Sequence, residues 1–143
     1  MNYAFQKEKE NIAKAYGRSL GISTKTSVEI ANFLRGKSTK KAKQILERVL
    51  QKIQAVPFRR FTNGAGHKTG IGPGKYPQKA SEEFLKLIKQ AEANAQAQGL
   101  SEDLEIVHLC AHRASGQMRQ GRQRRQFKRT HLEIVVSEVE AKK

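Results

Sequence analysis

The chain has no tryptophan, one cysteine and three prolines among 143 residues, and its 13 acids are outnumbered by 28 lysines and arginines. A lone cysteine forms no internal disulfide and suits a reducing cytoplasm rather than a stapled secreted scaffold. No apolar run reaches the length of about 18 residues that a membrane-spanning helix needs. The opening residues, MNYAFQKEKENIAKAYG, alternate charge and contain no apolar block, so no signal peptide is expected there. Internal repeats and low-complexity tracts are also missing. What the chain has is positive charge, a formal +15 with a pI near 10.3. That exceeds what solubility requires. A phosphate backbone is the first partner it suggests and an acidic membrane surface the second. The length suits one domain, 1–143, with one modest core.

The charge is concentrated. From Ile106 to Leu132 there is no Asp or Glu, while Arg113, Arg119, Arg122, Arg124, Arg125, Lys128 and Arg129 all fall inside. Both flanks read as strand: Leu104, Ile106, His108 and Cys110 alternate with more mixed neighbours, as do Leu132, Ile134 and Val136 with Glu133, Val135 and Ser137. Between them only Met118 and Phe127 are large and apolar, and Gly116 and Gly121 permit a turn. The pattern predicts a basic β-hairpin arm, residues 110–131, with its tip near 116–123. Two legs of this length would project roughly 30–35 Å. Whether such an arm is ordered alone or only on a polyanion stays open at this point.

Taken in order, residues 1–11 are polar and read as extended, and 12–22 as a strand without one clean period. Thr26 with Glu29 has the spacing of a capping box, opening a helix through Val28, Ile30, Ala31 and Leu34 that Gly36 would close. Ser38 or Thr39 opens a second helix, with Ala42, Ile45, Leu46, Val49, Leu50 and Ile53 as one apolar stripe. Its other face, rich in lysine, is either solvated or in contact with RNA. Ser81 with Glu82 and Glu83 opens a third helix on Phe84, Leu85, Ile88, Ala91 and Ala95, ending at Gly99. A strand from about Glu102 leads into the arm and the return strand ends about Glu138, leaving a frayed tail, EVEAKK. The fold class expected is α+β: a small three-stranded antiparallel sheet covered on one face by three helices, with the long hairpin arm.

Residues 56–79, VPFRRFTNGAGHKTGIGPGKYPQK, break the pattern with five glycines, three prolines, five Lys/Arg and no acid. A loop this long in a small domain points to function. Glycines admit a phosphate to the backbone, the arginines supply charge, and the aromatics Phe58, Phe61 and Tyr76 can stack on unpaired bases, unless Phe58 and Phe61 pack onto the body. GIGPGKY is not a nucleotide loop: Thr69 stands where the first glycine is needed and Tyr76 where the magnesium-binding Ser or Thr is needed.

A catalytic or metal role finds little support. His108, Cys110 and His112 share a strand face, but alternate residues lie about 6.6 Å apart and the outer pair about 13 Å, too far for one zinc without a bend. No second cysteine or carboxylate lies nearby in sequence, and no acid pair or triad appears elsewhere. Neither enzyme activity, metal nor cofactor is expected. A free RNA-binding regulatory protein would share the charge but not the arm and loop together. The arm lacks the apolar face of a membrane-surface peptide, so no membrane partner is expected.

Several segments carry a resemblance: MNYAF, RGKSTKKAKQILERVL, VPFRRFTNGAGHK, GKYPQKASEEFLKLIKQAEANAQAQGL and HLEIVVSE. In this order and spacing the chain resembles the universal large-subunit ribosomal proteins of the L-twenty-two family (L-seventeen in eukaryotic naming), in their archaeal and eukaryotic form. The VPFRR…NGAGH…GKYP loop is the most specific part, since bacterial members largely lack it. The resemblance implies a structural constituent of the cytoplasmic large ribosomal subunit that binds its RNA and supports assembly. It also implies neighbouring ribosomal proteins as partners, and a hairpin arm lining the nascent-peptide exit tunnel, against which the nascent polypeptide passes. Carried onto this chain, the RNA contacts would be Arg113 to Arg129 on the arm and Arg59, Arg60, His67, Lys68 and Lys75 on the loop. The arm is several residues shorter than in typical eukaryotic members.

Overall fold

The structure, a computed structural model, describes residues 3–5 and 11–139. The rest of the expected N-terminal extension, and the tail from 140 onward, lie outside the described residues. Among the described residues, six strands and three helices follow one another as β1 (Ile12–Leu20), α1 (Thr24–Leu34), α2 (Thr39–Leu50), β2 (Val56–Pro57), β3 (Gly66–Lys68), β4 (Gly72–Lys75), α3 (Gln78–Ala97), β5 (Leu104–Arg113) and β6 (Thr130–Glu138). They form two antiparallel sheets, β1–β6–β5 and β2–β4–β3. The α+β class and the three-stranded main sheet are as expected. The small second sheet is an addition, since its strands lie within what reads as loop 56–79.

The helices lie on one face of the main sheet, over Leu132, Ile134 and Val136 of the central strand and Leu104, Ile106 and Leu109 of β5, all buried. Where α3 crosses β1 the buried residues are small: Ala13 and Ala15 on the strand, Ala91 and Ala95 on the later turns of the helix. Small side chains let the two backbones approach, and Asn94 Nδ2 donates to the Lys14 carbonyl at 2.8 Å. The irregular period of 12–22 has a cause: β1 bulges between Gly17 and Leu20, with Ser19 in the left-handed region at φ 52°.

A second bulge falls between Ile106 and His108. One extra residue in a strand of period two exchanges its faces. Leu104 and Ile106 therefore point to the helices with Leu109, whereas His108, Cys110 and His112 share the opposite face.

Helix starts depart from the expected ones in two places. α1 is capped by Ser23, whose side chain makes no capping bond, and the Thr26–Glu29 box does not form. The start is tied to the sheet instead, Thr24 Oγ1 lying 2.9 Å from Thr130 Oγ1, and Glu29 is buried elsewhere. α3 begins at Gln78 behind Pro77, not at Ser81, so Ser81 is buried and no acid stands in the first turn. Leu87, rather than Leu85, completes its buried stripe. α2 is capped by Ser38, which accepts from the Lys41 N–H at 3.3 Å. Its buried stripe ends at Val49, with Leu50 only half-buried: Lys52 turns left-handed at φ 59°, and Ile53 leaves the core with 69% of its surface exposed. Gly36 closes α1 at φ 72°, a conformation that costs a residue with a Cβ.

Candidate nucleic-acid interface

Loop 56–79 is a built platform. Val56 pairs with Lys75 and Pro57 with Gly74, and β3 lies on the other side of β4, with His67 opposite Pro73. Its polar link to the body through α1 is Glu29. This carboxylate, 2% exposed, accepts the backbone N–H groups of Arg59 (3.1 Å), Arg60 (2.8 Å) and Phe61 (2.7 Å). Three N–H donors satisfy a buried carboxylate, and in return they aim the backbone so that both arginine side chains stay exposed.

The aromatics divide differently from the charges. Phe58 is 3% exposed in the core and Phe61 is partly buried against it, so both pack onto the body. Cations stand over these rings: Lys75 Nζ is 5.3 Å from the Phe58 centroid, Arg60 Cζ 5.3 Å from Phe61, and Lys68 Nζ 5.1 Å from Tyr76. Such contacts orient a flexible cation without neutralising it.

The arm is regular only at its root. The β5–β6 ladder ends at Arg113 opposite Thr130. Beyond it the legs are joined by the Ala114 N–H to the Arg129 carbonyl, the Phe127 N–H to the Gln117 carbonyl and the Arg119 N–H to the Arg125 carbonyl, with one bridge at Met118 and Gln126. The legs come close at Gly116, where a Cβ would lie 2.3 Å from the Phe127 carbonyl oxygen, so only glycine fits. The tip turns at Gly121, φ 78°. Arg113, Arg119, Arg122, Arg124, Arg125 and Lys128 are exposed and Arg129 is half-buried. Arg119 Cζ stands 5.0 Å over the Phe127 ring.

Lys25, which sequence reasoning missed, lies between the two basic regions. Its Nζ is 5.8 Å over the Phe61 ring of the loop, and it lines a depression with Arg113, Lys128 and Arg129 of the arm. The start of α1 thus separates loop from arm. The lysine face of α2 is partly spoken for, since Lys40 pairs with Asp103 at 2.7 Å and Lys43 with Glu92 at 2.9 Å.

On the sheet face away from the helices, His108, Cys110 and His112 meet a residue that sequence proximity hid. Glu133 of β6, 5% exposed and opposite Cys110, has its carboxylate 3.7 Å from His108 Nε2 and 3.4 Å from His112 Nε2. Ala4 donates its N–H to the same carboxylate at 2.9 Å. Among the described residues no three ligand side chains are grouped to hold a metal. Burial lowers the His108 pKa, and Arg35 adds to that while Glu133 opposes it.

A rigid α+β frame carrying exposed cations on two extensions is suited to lasting contact, and comparison with known proteins places it among the structural, non-enzymatic proteins of the ribosome. The model of the ribosomal protein L22p/L17e family matches residues 15–137, and the chain belongs to that family. Relatives named large ribosomal subunit protein uL22 include that of Ignicoccus hospitalis, 40% identical over 148 aligned residues covering 94% of this chain and 93% of its own length. That of Methanosphaera stadtmanae is 42% identical over 149, covering 95% and 96%. That of Thermoplasma acidophilum is 40% identical over 137, covering 90% and 89%.

Proposed function

We propose that the chain serves in the large ribosomal subunit, which its relatives are named for, as one RNA-binding domain over residues 1–143. It binds large-subunit ribosomal RNA through loop 56–79 and arm 110–131 and so supports assembly beside neighbouring ribosomal proteins. The loop contacts are Arg59, Arg60, His67, Lys68 and Lys75. The arm contacts are Arg113, Arg119, Arg122, Arg124, Arg125, Lys128 and Arg129. The observation that carries this reading is the pairing of two acid-free basic segments on one body, each held at its root by buried hydrogen bonds: Glu29 under the loop, and Thr130 Oγ1 to the Ile22 carbonyl at 2.9 Å under the arm. Rigid roots keep phosphate contacts in register without a large ordering cost.

The arm has the further role of lining the nascent-peptide exit tunnel, as the family resemblance implies. The test is to remove Gln117 to Gln123 and close the gap with Asn-Gly, suited to a two-residue hairpin turn. Body, loop and the cations from Arg124 onward remain, so the protein is expected to enter large subunits and stay through a high-salt wash. Ribosomes carrying the shortened arm are then expected to pause differently on nascent chains and to change their sensitivity to tunnel-binding drugs. Failure to enter the subunit would make the tip an assembly anchor, and unchanged pausing and drug sensitivity would remove the tunnel role.

A further inference from the structure

The arm does not stand clear of the body. Its leg from Arg125 to Arg129, with Arg119, forms one wall of a cleft of about 890 Å³. The other wall is made by Gly21–Ser23 and Thr26 at the start of α1 and by Pro77–Ala80 at the start of α3. Five cations line it, Lys79, Arg119, Arg125, Lys128 and Arg129, and no carboxylate does.

Two of these cations converge from opposite walls. A Cβ on Gly21 would lie 3.8 Å from Lys79 Nζ and 3.9 Å from Arg129 Nη1. Neither has an acidic partner among the described residues. Arg129 is nonetheless held in place, its Nη1 donating to the Ser19 carbonyl at 3.1 Å. Like charges held together in a concave space repel, and an anion between them reverses the sign of that energy. The helix starts add to the effect: α1 and α3 both begin at this cleft with no side-chain cap and no acid in the first turn, leaving their positive ends uncompensated.

We propose that this cleft is a phosphodiester-binding site in which one strand of RNA backbone is gripped between the arm and the starts of α1 and α3, with Lys79 and Arg129 on opposite sides of the strand. The inference rests on the RNA-binding reading above and adds a location and a role for Lys79, the last cation of the 56–79 stretch, which the fold places on α3 and not on the platform. The arm becomes one jaw of a clamp.

The test uses the full chain and protein-free large-subunit ribosomal RNA titrated at several salt concentrations. Gly21→Asp puts a carboxylate where the two cations meet. The backbone there is outside the left-handed region and the nearest atoms are at ordinary contact distance, so the side chain is accommodated. The expected result is a salt slope lowered by about one to two units and an affinity about tenfold weaker, since up to two phosphate contacts are lost. The melting temperature is expected to hold or rise. Gly21→Asn, of the same shape without the charge, is expected to stay near wild type. Gln44→Glu, the same charge change on the exposed side of α2, is expected to leave the slope unchanged. Lys79→Gln is expected to lower the slope by about one unit and decides the matter if Gly21→Asp fails to fold. Wild-type slopes in both cleft variants, or equal losses in Gly21→Asp and Gly21→Asn, would overturn the clamp while wild-type binding left the RNA-binding reading standing. A wild-type protein without salt-dependent binding would overturn both.

Discussion

Glu133 and His108 show how one buried charge organises a sheet face. Glu133 sits mid-strand in β6 and its carboxylate is met by Ala4 N–H, with His112 and His108 a little farther off. At 3.7 Å no hydrogen bond reaches His108 Nε2, which has no partner among the described residues. Ion pairing would raise the His108 pKa, but removal from water prevails and lowers it, with Arg35 adding to the fall. A depressed folded-state pKa means that the unfolded chain takes up the proton first. Stability from this residue is therefore complete above about pH 6.5, the unfolded value, and is lost as pH falls through the lower folded one. His108→Gln is expected to flatten that part of the profile: melting temperatures measured from pH 7.5 to 5 should fall less steeply than in wild type. Parallel curves would show that His108 carries no such penalty.

Between elements, the connection that matters most for the site is α1 to the β2–β4–β3 platform through Glu29. Glu29→Gln keeps the side-chain length but turns one acceptor into a donor facing backbone N–H groups. The expected cost is about 2–3 kcal/mol by denaturant unfolding, with amide exchange speeding up at 59–61 and RNA affinity falling with it. Unchanged stability would mean that the platform stands by its own strand pairing. This link was not legible in the sequence. Thr26 and Glu29 have the spacing of a capping box, and nothing local shows that the acceptor is taken by a segment thirty residues on. The platform was hidden for a different reason: its strands are two to four residues long and, apart from Val56 and His67, are Gly, Pro and Lys, residues poor in strand preference. The bulge beside Val107 was hidden too, because alternation through Leu104, Ile106, His108 and Cys110 looks unbroken while the faces exchange beneath it. The helices were legible, since α2 and α3 each bury a stripe at helical spacing. Both basic segments were legible from the absence of acids alone. Lys25 was not, because it is an isolated lysine, and Lys79, though counted in the 56–79 stretch, is carried onto α3 and beside the arm only by the fold.

Across the whole molecule the charges are sorted. The described acids all lie on the body, and five of them are engaged there: Asp103, Glu92 and Glu83 pair with lysines of α2 and α3, and Glu29 and Glu133 are buried and accept hydrogen bonds. The two extensions are left with cations only, twelve in all, so most of the excess of +15 is presented where the chain departs from its core. Such a distribution steers the protein onto a polyanion in one orientation and allows it to touch more than one segment at once. The most direct measurement is a hydroxyl-radical footprint of the full chain on large-subunit ribosomal RNA, repeated with Arg59→Gln/Arg60→Gln and with Arg124→Gln/Arg125→Gln. Binding through both extensions predicts several separated protected segments, one set fading in the loop variant and another in the arm variant. A single short protected element, unchanged by either pair of substitutions, would contradict it.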